Sequence, residues 1–248
     1  MYIALLYGFL SGFALFIGSL VGLYLKIPKK WIALIMAFGC GVLISSLSID
    51  LMTEAFELSK KIYLISIAFL LGSATFIGGD YFIDNIGGEQ RKSTSHTPSP
   101  AAEKPTSGNA ILLGTLLDGI PESLVMGSAL ASGGSSGIVF VIAVFLSNFP
   151  EGISGTIAMK NSGMSKVKIL VIWLSMIVAT IAFTIIGFLF LGNASQEFKS
   201  FAMAFASGAI LAMLSDSMLP EAFKEGGNIT GLFVSAGFLV AFILTNLS

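Results

Sequence analysis

Charge is what this chain has least of. Only 11% of its 248 residues are Asp, Glu, Lys or Arg, against about a quarter in an ordinary soluble domain. Hydrophobic residues make up 55%, and mean hydropathy is +0.91. That balance reads as a polytopic membrane protein, and the net charge of -1 provides no basic footprint for a nucleic-acid partner. Cysteine is nearly absent. Cys40 stands alone, which excludes an intramolecular disulfide and a thiolate metal cluster and leaves a small buried packing residue. Histidine is just as scarce: His96 lies in a polar stretch and reads as solvated surface. A cleavable leader is not expected either. Met1 to Leu25 is apolar from its start, with no basic residue ahead of it and no small-residue cleavage site.

What is present is a series of long apolar runs. Eight transmembrane helices are expected, near 2–25, 31–56, 62–83, 109–131, 137–159, 167–192, 200–223 and 229–247. The one long connection, 85–108, holds Gly87-Gly88, Arg91, Lys92, a Ser/Thr/Pro run and Lys104, and reads as a flexible cytoplasmic loop. With both termini outside, Lys26, Lys29, Lys30, Arg91, Lys92, Lys104, Lys160, Lys166, Lys168 and Lys224 collect in the cytoplasm. Only Lys60, Lys61 and Lys199 fall outside. Basic residues concentrate on the cytoplasmic side of membrane proteins, so this distribution supports the orientation. The expected location is the cell membrane, plasma or inner.

The chain also resembles itself. Residues 37–57 align with 204–224 at a constant spacing of 167, and Ala37, Phe38, Gly41, Leu47, Ser48, Glu54, Ala55 and Phe56 recur. The second span runs outward and the seventh inward, so the fold class expected is an all-α inverted 3+2+3 repeat. Helices 1–3 (residues 1–84) form one unit and helices 6–8 (161–248) the other. Helices 4 and 5 (109–160) lie between them. Small residues at Gly8/Gly12 and Gly18/Gly22 permit close helix packing, within the chain or with a second copy in a homodimer.

Those central helices carry the chemistry. Leu117-Asp118-Gly119-Ile120-Pro121-Glu122 and Leu146-Ser147-Asn148-Phe149-Pro150-Glu151 each set acid and proline in the middle of an apolar run. An acid in hydrocarbon is costly and faces a protein-lined or watery interior. Proline strains the carbonyl four residues back, so interrupted helices with exposed oxygens at Leu117 and Leu146 are expected. Asp118 and Glu122 share one helix face, as do Ser147 and Glu151, and Asn148 is one step round. Three carboxylates, an amide, a hydroxyl and two carbonyls make a set of hard oxygen ligands. These suit Mg²⁺, Mn²⁺ or Fe²⁺, and Zn²⁺ through the carboxylates. The bland reading of a Pro-Glu pair is a kink beside a hydrogen-bonded acid; two pairs on adjacent spans argue against it. Asp50 and Glu54 would rim an outer vestibule, and Asp216 and Glu221 an inner one. Asp80 and Asp84, at a span end, read as acids among headgroups. Gly79-Asp80 lacks the surrounding signature of an intramembrane aspartyl protease, and no enzymatic activity or prosthetic group is expected.

Eight spans, a long loop after the third and proline-glutamate motifs in the fourth and fifth together resemble the ZIP metal transporters. The family motif is approximately His-Asn-x-Pro-Glu-Gly. In the fifth span Asn148, Pro150, Glu151 and Gly152 match it, and Ser147 replaces histidine. In the fourth, Pro121 and Glu122 match, while Asp118, Gly119 and Ser123 stand for histidine, asparagine and glycine. Met218-Leu219-Pro220-Glu221 also looks like the family's Leu-Pro-Glu. The resemblance implies import of Zn²⁺, Fe²⁺ or Mn²⁺ into the cytoplasm by alternating access, with Glu122 and Glu151 as shared ligands. A membrane metal sensor or structural relative that binds without transporting is the alternative.

Overall fold

Among the described residues, seven stretches are long and apolar enough to cross a membrane: Tyr2–Tyr24, Lys29–Ser59, Ile62–Ile86, Ala110–Ala131, Phe140–Asn161, Lys166–Leu191 and Gln196–Leu247. They come from a computed structural model that describes residues 1–88, 108–131 and 136–247, among which there is no strand. The described residues are thus all-helical, with several helices able to span a membrane, as in a multi-pass membrane protein. The last stretch has 52 residues, about 78 Å as a straight helix and more than twice the ~30 Å of hydrocarbon. It is not straight. Gly227, at φ 72° and ψ -156°, adopts a backbone closed to residues with a Cβ and turns the chain there. The seventh and eighth expected segments both lie within this stretch, on either side of that turn.

The helices are α1 (Tyr2–Tyr24), α2 (Lys29–Ser45), α3 (Met52–Ser59), α4 (Ile62–Ile83), α5 (Gly108–Ala131) and α6 (Ser136–Asn161). They continue with α7 (Lys166–Ile186), α8 (Gln196–Met213), α9 (Leu219–Gly226) and α10 (Thr230–Leu247). Local chemistry marks several ends. Ser165 and Ser195 cap α7 and α8 by accepting from the backbone N–H groups of Lys168 and Phe198. Lys60, in the left-handed region at φ 55°, stops α3. At the near end of the loop expected over about 85–108, a π-helical turn, Asp84–Gly88, carries α4 on, and Gly108 already belongs to α5. Asn85 Nδ2 donates to the Tyr81 carbonyl at 2.9 Å within that extension. The rest of the expected loop, with His96, lies outside the described residues.

The prolines do not interrupt α5 or α6, contrary to expectation. Both helices run continuously through Pro121 and Pro150. Proline's fixed φ is itself helical, so a helix held by its neighbours can pass through it at the loss of one hydrogen bond. Irregular backbone lies elsewhere, in π-helical turns at Ser46–Leu51, Gly187–Leu191 and Leu214–Met218.

Two groups of helices result. In one, α1 packs on α6 and α7, and α7 packs on α5; in the other, α2 packs on α10 and α4 on α8. Lipid provides no hydrophobic drive between helices, so small residues that admit close backbones decide these contacts. A methyl on Gly41 would overlap the Val234 carbonyl oxygen, and one on Gly237 that of Phe38. The α4–α8 crossing is built alike: Gly208 lies against the Phe69 carbonyl and Gly72 against that of Phe205. Phe38 and Gly41 are the positions that recur as Phe205 and Gly208 in the internal match. The first group has its own pair. Gly18 meets the Phe149 carbonyl and Gly152 that of Leu15, while Gly187 meets Leu124 and Gly127 meets Thr184. Gly8 and Gly12 pack on α7 at Ile177–Thr184, and Gly18 and Gly22 on α6, all within the chain.

Candidate metal site

All five central residues singled out from sequence are buried. Asp118, Glu122, Ser147, Asn148 and Glu151 are between 1% and 7% exposed. Their positions follow from the crossings just described. α6 is clamped on one side by α1, at Gly18 and Gly152, and on another by α2, where a methyl on Gly39 would be 3.0 Å from the Ser147 Cα. α5 is held on α7 through Gly127 and Gly187. Each acid-bearing helix is thus fixed by backbone-close contacts within about a turn of its acid.

The polar partners are specific. Asn148 Nδ2 donates to the Ser11 carbonyl at 3.2 Å and to Ser11 Oγ at 3.1 Å. With its amide nitrogen committed to α1, the carbonyl oxygen is the end of the Asn148 amide that could ligate a cation. Ser147 Oγ donates to the Val144 carbonyl at 3.0 Å, so its lone pairs remain available to accept or ligate. Ser11 is the residue that sequence reasoning missed. A lone serine in an apolar run carries no signal by itself; the signal is its tertiary contact with Asn148.

The two proline-glutamate motifs sit differently in their crossings. Sequence aligns Pro121-Glu122 with Pro150-Glu151. The crossings instead equate Leu124 and Gly127 with Phe149 and Gly152, which sets Glu122 level with Ser147 and Glu151 level with Met126. The two alignments differ by four residues, about 6 Å along a helix. Measured from these two crossings, the carboxylates of α5 and α6 stand at different levels, and each helix brings a different polar set. Among the described residues no three His, Cys, Asp or Glu side chains are gathered so as to hold one metal ion.

The remaining acids fall in distinct settings. Asp50 is buried, 7% exposed, in the π-helical turn that follows α2, beside the buried Ser45 and Ser46. Glu54 is half-buried one turn later, in α3. Asp216 is exposed in the corresponding π-helical turn after α8. Glu221 is half-buried, with Lys224 Nζ 3.9 Å from its carboxylate. π-Helical turns are enriched at functional sites because the widened turn leaves backbone oxygens less well used. No family model matches the chain, and no curated protein matches it.

Proposed function

We propose that this protein is a ZIP-like transporter carrying divalent cations (Zn²⁺, Fe²⁺ or Mn²⁺) into the cytoplasm by alternating access, across eight spans with both termini outside. The observation that carries the reading is the burial of Asp118, Glu122 and Glu151 on two neighbouring proline-bearing helices of a membrane protein. Buried carboxylates in hydrocarbon persist where a function requires them. The site would draw carboxylate oxygens from Glu122 and Glu151, with Asp118, the Asn148 amide oxygen and Ser147 Oγ completing the shell. Hard divalent ions accept such mixed oxygen sets and keep some water, so three acids need not meet at once.

Alternating access gains support from the paired crossings. The contacts of α2 with α10 reappear between α8 and α4, and those of α1 with α6 between α7 and α5. An inverted repeat accounts for both recurrences. Within that scheme the two halves are not in the same state. α2 is closed on α6 at Gly39 and Ser147, whereas α8 meets α5 over a smaller area and a cavity of about 350 Å³ opens beside that contact. Exchanging the two arrangements would shut one side of the site and loosen the other, which is the motion a carrier of this kind needs.

The test is uptake into vesicles containing purified protein, against a panel of divalent ions. Saturable entry of at least one of Zn²⁺, Fe²⁺ or Mn²⁺ is expected. Tight binding without entry would instead support a membrane sensor.

A further inference from the structure

Asp50 is not on either central helix, yet it is as enclosed as Glu151, each 7% exposed. It lies within Lys29–Ser59, a stretch apolar enough to cross a membrane, where a carboxylate is costly. Its place is the π-helical turn Ser46–Leu51, over which α6, α8 and α10 pack. Hydrogen bonds in a π turn close five residues apart rather than four, so Ser45 and Ser46 both come beneath Asp50. The hydroxyls of Ser46 and, from α10, Thr245 stand beside its carboxylate. Still, Asp50 Oδ2, Ser45 Oγ and Ser46 Oγ have no hydrogen-bond partner among the described residues, and both serines are at most 1% exposed. Other buried serines behave differently. Ser147, Ser154 and Ser207 each donate to a carbonyl three or four residues back.

The turn does not need this polar set in order to form. Leu214–Met218 is π-helical too, at the matching positions of the internal repeat. There Ala212, Met213 and Ser217 stand for Ser45, Ser46 and Asp50, and Ser217 Oγ donates to the Met213 carbonyl at 2.7 Å. At these three positions one turn buries a carboxylate and two hydroxyls, and the other holds a single, hydrogen-bonded hydroxyl. Backbone geometry therefore does not explain the polar version.

We infer that Asp50, Ser45, Ser46 and Thr245 form a site for a small monovalent cation of the Na⁺ kind, separate from the divalent site proposed on α5 and α6. Carboxylate and hydroxyl oxygens are hard ligands, and each hydroxyl can turn a lone pair to an ion while its hydrogen meets the carboxylate. The less well used carbonyls of a π turn add to that set, as unwound carbonyls do at the sodium sites of other membrane carriers. Charge selects the valence. One carboxylate among neutral hydroxyls balances one positive charge, whereas a divalent ion would leave a net charge buried where charge is expensive.

This inference stands on the turn after α2 and not on the transport reading, so each can fail without the other. The purified full chain in nanodiscs is equilibrated with radiolabelled Na⁺ in the presence of EDTA, which strips divalent ions, with choline as the replacing cation. Saturable binding of about one Na⁺ per chain is expected, with a melting temperature about 4 °C higher in saturating Na⁺ than in choline. Asp50→Asn keeps the shape and removes the charge, so it should weaken binding by about tenfold or more and abolish the shift. If that variant does not fold, Ser45→Ala combined with Ser46→Ala makes the same test with the carboxylate in place. Melting in choline reports whether each variant is folded. Three results would each overturn the inference: no saturable Na⁺ binding in the wild type, binding unchanged in these variants, or binding lost only on Glu122→Ala, which would put the ion at the central acids.

Discussion

At the scale of single residues, the acids divide by what holds them. Glu122 and Glu151 are buried on separate helices that are clamped by different neighbours. Removing either carboxylate should leave the fold in place, because each helix is fixed by backbone-close crossings rather than by its acid. Glu122→Ala and Glu151→Ala should therefore reduce metal uptake to that of empty vesicles while folded protein levels are kept. Unchanged initial rates in both would remove these residues from the site. Asp118 is the position where the ZIP motif carries histidine, and imidazole suits zinc better than manganese. Asp118→His should raise the ratio of zinc to manganese uptake in competition, and a fixed ratio would show that residue 118 does not touch the ion. Carboxylate ligands must lose their protons to bind, so uptake should also fall as pH drops. The surface pair Lys61–Glu197 is a different case. Its hydrogen bond to Glu197 raises the Lys61 pKa above the ordinary 10.5. A raised pKa contributes stability that is complete below the ordinary value and lost only as pH climbs past the raised one. Lys61→Met should thus alter the melting temperature by the same small amount at every pH from about 6 to 9, the range below that loss.

Elements owe their positions to backbone proximity. The α2–α10 and α4–α8 crossings place a glycine of each helix against a carbonyl oxygen of the other. A Cβ at any of the four would have to push backbone aside, and over-packing of this kind costs about 1–3 kcal/mol. Gly41→Val and Gly208→Val should lower thermal stability in detergent by similar amounts if the two crossings are equivalent. A large effect at one and none at the other would argue that the likeness is superficial. The proline-bearing helices teach the opposite lesson. Sequence alone suggests breaks at Pro121 and Pro150, yet α5 and α6 pass through them, because α1, α2 and α7 hold the flanking turns. Widened turns occur instead at Ser46–Leu51 and Leu214–Met218, at matched positions of the internal repeat and with no proline inside them.

For the molecule as a whole, sidedness can be read by thiol labelling. In a Cys40→Ala background, Glu54→Cys should react with a membrane-impermeant thiol reagent from outside, and Glu221→Cys from inside. Reaction of both from one side would refute the eight-span, inverted arrangement. Both positions are half-buried at helix ends near the π-helical turns, which keeps them within reach of a small reagent.

Sequence by itself determined the class, the approximate helices and the identity of the buried polar set. Hydropathy and charge are properties of residue order, and a bilayer leaves helices as the only open-chain solution for such runs. Acids in the middle of apolar runs stand out for the same reason, and so Asp118, Glu122 and Glu151 were legible. The glycine pairs were visible too, but not their partners: only packing decided that Gly8, Gly12, Gly18 and Gly22 serve contacts within the chain. Tertiary structure alone decided the four-residue offset between the two motifs, because a helix can slide along its neighbour without changing any residue. It alone joined Ser11 to Asn148, and it alone left a cavity beside the α5–α8 contact while α2 closed on α6. Those outcomes depend on which backbones approach closely across the bundle, and no local pattern in the chain encodes that distance.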